Sequence, residues 1–181
     1  SASYSVIVAS ILLLDSITLK TIVFGSLLIT VGYTSLLKPI VWVKNVSVAT
    51  IVALVPVLGG VAACGSISTA FNNPESRLFE LFVAIFAGIM HKEILMDMYD
   101  IEDDSNSGII TVPQIYGKEM SLNICAIFIF IMGSSASHSP DTLGVMIGTV
   151  SSILMSYNII MLKRNVGTVM EKRDLKRTLQ Q

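Results

Sequence analysis

Charge is scarce in this chain: Asp, Glu, Lys and Arg make up 14% of its 181 residues, against 52% hydrophobic residues. With mean hydropathy at +0.73, that balance excludes an ordinary water-soluble domain, in which about a quarter of the residues are charged. Cysteine is scarce too, with Cys64 and Cys125 alone. Neither belongs to a CxxC or lies at a His–Cys metal spacing, so both read as small packing residues in apolar runs. His91 and His138 are isolated and lack a His or Cys partner for a metal. No initiator Met opens the chain, and no basic stretch precedes the first apolar run as a signal peptide requires. The sequence therefore reads as clipped or partial. The net charge of −1 gives no reason to expect nucleic acid as a partner, and it conceals a strong segregation of charge into a few short segments.

What is abundant is apolar sequence in long runs. Crossing the hydrocarbon core of a bilayer takes roughly 20 mostly apolar residues as a helix. Six runs approach that pattern, at 4–14, 17–37, 46–64, 77–95, 121–135 and 143–162. The implied fold is all-α, a polytopic transmembrane helix bundle forming a single membrane domain over 1–181. Asp15 and Ser16 turn the chain between the first two runs, and Lys20 is placed to snorkel. Pro56, Gly59 and Gly60 in the third run favour a bend and close helix approach. The segments 65–76, with Asn72, Asn73 and Pro74, and 136–142, with His138, Pro140 and Asp141, have turn composition. Residues 163–181 form a basic tail, read as a solvated loop or an amphipathic surface segment.

If the six runs alternate in direction, 38–45, 91–118 and 163–181 share one side. That side holds 10 of the 12 Lys and Arg residues, leaving Lys20 and Arg77 on the other. The bias assigns the basic side to the cytosol, or to the matrix or stroma of an organelle. Trp42, Tyr33 and Tyr99 fall near the expected interfaces, where an aromatic belt accounts for Trp42.

The densest acidic segment lies on the basic side. Asp97, Asp100 and Asp104 follow Lys92 and Glu93, and on one continuous helix such spacing puts all three aspartates, with Glu93, on one narrow face. Like charges so close are stable only in water, beside basic groups, or around a cation. A solvated helix end leading into an acidic loop is the plainer alternative, and it is the favoured one for Glu102 and Asp103. An all-oxygen cluster suits Mg²⁺, which keeps some waters and shares its remaining positions with substrate phosphates. With lysines nearby, such a cluster matches a diphosphate ester with a pyrophosphate leaving group, and an apolar cavity between helices would hold its hydrocarbon chain.

The same region resembles the UbiA superfamily of intramembrane prenyltransferases. Its second aspartate-rich motif, DxxDxxxD, is matched by Asp97, Asp100 and Asp104. The following Gly-x-x-Thr-x-Pro and Gly-Lys are matched by Gly108, Thr111, Pro113, Gly117 and Lys118. Upstream, Tyr33 and Lys38, with Lys44 and Asn45 opening the next run, resemble the family's Tyr-to-Lys loop. The resemblance implies that Asp97, Asp100 and Asp104 bind Mg²⁺ with a prenyl diphosphate. It further implies that Lys38, and with it Lys92 and Lys118, contacts diphosphate oxygens, while Tyr33 sits near the substrate. An interfacial anchor is the more ordinary role for Lys44. The acceptor, lipid-soluble or aromatic, is left open among a quinone precursor, a tetrapyrrole and a glycerol phosphate lipid.

Some positions depart from the family pattern. Asp103 and Ser105 flank the last aspartate where a small and a basic residue are usual, and Ile110 replaces a common Arg. The family's first motif, NDxxD, is absent, and nine helices are expected where six runs occur. The resemblance thus implies two missing helices before Ser1 and one after the chain, and a catalytically incomplete fragment. Two rival readings stand beside the enzyme: a cation channel or transporter with an acidic vestibule, which requires ionisable residues deep within several helices, and a non-catalytic membrane scaffold.

Overall fold

The computed structural model describes residues 2–72, 77–137 and 142–178, which are helical throughout apart from short connections, with no strand among them. Helix α1 (Ala2–Leu12) and α2 (Ile17–Gly32) are joined at Ser16, whose hydroxyl accepts a hydrogen bond from the Leu19 amide. The second apolar run does not stay α-helical to its end: it widens into a π-helical turn at Tyr33–Leu37. Then come α3 (Val43–Cys64), the short α4 (Ile67–Asn72) inside the expected surface turn, α5 (Leu78–Tyr99) and the short α6 (Ile101–Asn106). Helix α7 (Val112–Ser137) is broken at Gly117, and α8 (Thr142–Thr178) carries straight on through most of the segment read as a loop. Of the turn assigned to His138, Pro140 and Asp141, those residues lie outside the described ones, as do Asn73 and Pro74.

Among the described residues, three helices have the length and composition to cross a membrane: Val43–Cys64, Val112–Ser135 and Gly144–Asn165, with Ile17–Gly32 apolar but shorter. Helix α5 is as long as α3 but carries Glu80, Lys92, Glu93 and Asp97. Large apolar side chains such as Phe130 (74% exposed) and Ile153 (67%) cover the outside of the bundle. Such a surface is unfavourable in water and natural against lipid tails.

Contacts between named residues fix the helix directions. Lys44 at the start of α3 meets Asp97 at the end of α5, and a Cβ on Gly60 near the end of α3 would touch Leu78 at the start of α5. The two are therefore antiparallel. Cys125 Sγ approaches the His91 carbonyl at 3.8 Å, while a Cβ on Gly88, earlier on α5, would meet Met132, later on α7. Gly133 of α7 lies against Ser152 of α8, while Asn123, earlier on α7, accepts a hydrogen bond from Lys163, later on α8, so α5, α7 and α8 also alternate. One core gathers Ile94, Val112, Leu122, Cys125, Ile129 and Ile159; a second joins Val57, Val61, Ala70 and Leu78 beneath α2.

Along α3, Asn45, Ala49, Ala53, Val57 and Val61 are buried at four-residue intervals. That spacing keeps a stripe of mostly small side chains on one helix face, and α5 packs against it. The stripe reaches α3's first turn, so it buries Asn45 along with the alanines.

Candidate active site

The acidic motif does not lie on a single helix. Asp100 has φ −95° and ψ 13°, α5 ends just before it, and α6 begins just after it. The one-face geometry expected from spacing is thereby corrected: Asp100 is turned outward and exposed, while Asp97 is only 4% exposed and Asp104 is half-buried. The relation of Asp97 to Asp104 survives the break.

Both point at the same group. Lys44 Nζ is 2.6 Å from Asp97 Oδ1 and 3.4 Å from Asp104 Oδ2. The second oxygen of Asp97 accepts a hydrogen bond from Asn45 Nδ2 at 3.0 Å. Lys44 is 7% exposed and Asn45 fully buried, so α3 delivers two consecutive side chains into the α5–α6 corner. Tyr33 and Glu93 are close enough to interact electrostatically with Lys44 and Asp97. The antiparallel packing suits these charges. An ammonium near the C-terminus of α5 and a carboxylate near the N-terminus of α3 each complement the facing helix dipole, although each opposes its own.

The backbone is constrained on both sides of this corner. Trp42, the residue before α3, has φ 66° and ψ −41°, a sparsely populated conformation that costs on the order of 1–3 kcal/mol. Its ring is held by the core around Val112 and Leu122 and lies 6.2 Å from the Tyr116 ring. Trp42 thus packs at the site's edge. The segment after α6 is clamped as well. Gly108, at φ 70°, ends the helix, the Ile109 amide returns to the Asp104 carbonyl at 2.9 Å, and Gln114 Nε2 reaches the Ile101 carbonyl at 3.2 Å. Pro113 falls in the first turn of α7, where its missing N–H costs nothing.

The remaining residues expected at the site are dispersed. The Lys38 amide closes the π-helical turn onto the Tyr33 carbonyl at 2.8 Å, with its side chain half-exposed. Lys118 is exposed beyond the Gly117 break. Lys92 is exposed and lines a cavity of about 650 Å³ among α5, α7 and α8, together with Gly88, Leu95, Tyr99, Met132 and Met155. Neither Asp97, Asp104 nor Lys44 lines that cavity, so the acid pair faces α3 and the apolar space lies across α5 from it. Glu102 and Asp103 are exposed.

Reading by sequence underrated Lys44 and Asn45. The available signal was that Asn45 continues the four-residue stripe of α3, which brings its neighbour to the helix end facing α5.

Among the described residues no three His, Cys, Asp or Glu side chains gather closely enough to hold a metal ion. Two carboxylates do converge on one cationic group: the Lys44 ammonium lies 2.6 Å from Asp97 and 3.4 Å from Asp104. Mg²⁺ is commonly held by one or two carboxylates and completes its shell with water and substrate phosphates, so the pair fits that metal and Asp100 stands apart from it.

The chain matches the UbiA prenyltransferase family over residues 1–176. It is a member of that family. It is 30% identical over 137 residues to the digeranylgeranylglyceryl phosphate synthase of Pyrococcus furiosus, covering 76% of this chain and 45% of the relative. To the synthase of the same name from Pyrococcus horikoshii it is 31% identical over 135 residues, covering 75% and 45%. For that of Pyrococcus abyssi the identity is 29% over 145 residues, covering 80% and 48%. The chain thus spans about half the length of the curated relatives it matches. No solved structure gives a significant match. UbiA prenyltransferases are generally magnesium-dependent, and membership together with the three long apolar helices makes this an integral membrane protein.

Proposed function

We propose that this chain carries catalytic machinery of a prenyltransferase, one that moves an isoprenoid chain from its diphosphate to a glycerol phosphate lipid. The observation that carries the reading is the convergence of Asp97, Asp104 and Lys44 at one end of an apolar bundle, in a chain of this family. The relatives' name, which describes a glyceryl phosphate bearing two geranylgeranyl groups, supports that acceptor over an aromatic ring or a tetrapyrrole.

In this reading Asp97 and Asp104 would hold Mg²⁺, and Asp100, exposed at the α5–α6 junction, would add its charge at the mouth where the metal-bound diphosphate arrives. The metal, when bound, would neutralise diphosphate charge and ease loss of pyrophosphate. Lys38 and Lys118, outside the buried pair, meet diphosphate oxygens, and Lys92 faces the apolar cavity. Tyr33, beside the charged cluster, borders the reacting end of the prenyl chain. Departure of pyrophosphate leaves an allylic cation. A hydroxyl oxygen of the acceptor forms the new C–O bond and gives up its proton. The acid pair lies at the end of the bundle that also holds Lys163, which is hydrogen-bonded to Asn123. With the excess of Lys and Arg in these segments, that end faces the cytosol, or the matrix or stroma of an organelle.

The channel reading is disfavoured. In the three helices long enough to cross, charge is confined to the ends, at Lys44, at Lys118 and Glu119, and at Lys163 and Arg164.

The test uses the complete protein and magnesium-dependent release of pyrophosphate from a prenyl diphosphate. Asp100 is exposed, so Asp100→Ala is expected to abolish release with little effect on folding, because surface changes away from special features stay within about 0.5 kcal/mol. Asp104→Ala is expected to abolish it as well. Full release by both variants would overturn the assignment.

A further inference from the structure

Asp97 is saturated by protein groups. One oxygen lies 2.6 Å from the Lys44 ammonium and the other accepts from the Asn45 amide. Asp104 shares the same ammonium at 3.4 Å. All three residues of this charged triad are at least half-buried, so water screens them poorly. A divalent ion binds carboxylate oxygens at about 2.0–2.1 Å. It cannot approach Asp97 Oδ1 while an ammonium occupies the same side, because the two cations would repel across one oxygen.

We propose that Lys44 is the resident cation of the Asp97–Asp104 pair and competes with the divalent metal for it. Lys44 thereby sets the metal concentration at which the site loads. It is a positioning residue, acting through the two carboxylates rather than on the substrate. The inference rests on the prenyltransferase reading for its metal but is tested without substrate. Nothing in the acid motif alone reveals the competition, since the ammonium comes from a helix more than 50 residues earlier, as the Asn45–Asp97 separation of 52 shows.

The experiment measures Mn²⁺ binding to the complete protein in detergent by electron paramagnetic resonance, together with thermal unfolding in MgCl₂ or in NaCl of equal ionic strength. Lys44→Met and Lys44→Gln remove the charge; Gln keeps a donor for Asp97. Both are expected to bind Mn²⁺ about tenfold or more tightly than the parent, since removing one unit charge a few ångströms away is worth at least that factor. Lys44→Arg stays near the parent. Magnesium raises the unfolding temperature of the neutral variants more than that of the parent, and adding Asp97→Asn removes both gains. A purely structural lysine would give variants that unfold early and gain nothing from magnesium. If Lys44→Met accumulates in folded form only with magnesium, that rescue supports the proposal. Equal or weaker Mn²⁺ binding in Lys44→Gln overturns it, as does a gain that persists with Asp97→Asn. Loss of the enzyme reading would show instead as pyrophosphate release that ignores Asp100 and Asp104.

Discussion

Removing either partner of the Lys44–Asp97 pair should be far worse than removing both. Lys44 is 7% and Asp97 4% exposed, and their charged atoms are 2.6 Å apart. Deleting one member of a buried ion pair typically costs about 3–5 kcal/mol, because the survivor keeps its desolvation penalty without its partner. Asp97→Leu carries a further loss, since Asn45 Nδ2 donates to Asp97 Oδ2, and a buried donor left unpaired costs about 1–3 kcal/mol. Lys44→Met leaves that hydrogen bond intact, and Asp104 loses only its 3.4 Å contact. The double variant exchanges the pair for apolar side chains of similar volume, which is commonly neutral or stabilising. Equilibrium unfolding in detergent can follow the fluorescence of Trp42, the chain's single tryptophan, which packs beside Tyr116 at the site's edge. Lys44→Met is expected to lose about 3–5 kcal/mol and Asp97→Leu about 1–3 kcal/mol more, and the double variant to recover the ion-pair part while keeping the loss from the unpaired Asn45 amide. Single effects that add to within about 0.5 kcal/mol, the behaviour of independent sites, would refute the idea that the two charges hold each other in the core.

Three further outcomes follow from particular positions. Asn45→Leu removes the hydrogen bond to Asp97 and should lower unfolding stability by about 1.5–3 kcal/mol, the range for a bond to a charged group; an unchanged midpoint would count against it. Gly117 sits at φ 79° and ψ 163°, a region essentially reserved for glycine, so Gly117→Ala should cost roughly 1–3 kcal/mol, read as a lower thermal midpoint. A Cβ on Gly133 would lie 2.9 Å from Ser152 Oγ, which itself donates to the Gly148 carbonyl at 2.8 Å. Gly133→Ala should therefore destabilise by about 1–3 kcal/mol through overpacking of α7 on α8, and Ser152→Ala in the same chain should relieve it; a double variant no better than the single one would place the strain elsewhere.

The helices were largely legible because their signal is one-dimensional: a long apolar run between polar breaks. Boundaries were less so. Helix α3 starts at Val43 rather than at 46, which turns Lys44 and Asn45 from loop residues into the first turn of a packed helix. Helix α7 begins at Val112, well before its apolar run at 121, because Pro113 and the Gln114 contacts with Thr111 and Ile101 start a helical turn that Gly117 then breaks. The acid motif was legible as a cluster of like charge, yet its geometry was not. Spacing places Asp100 with Asp97 only while the helix continues, and the backbone turns at Asp100 itself.

By itself the sequence determined that this is a membrane-embedded helical bundle, since composition and run length depend on no partner helix. It also determined the family, whose spaced acids, glycines and proline are local patterns. Only the tertiary structure decided which cation meets those acids. The antiparallel packing of α3 on α5 brings Lys44 and Asn45 to Asp97 across 52 residues of chain, and a contact of that kind exists only once two helix faces have been chosen and pressed together.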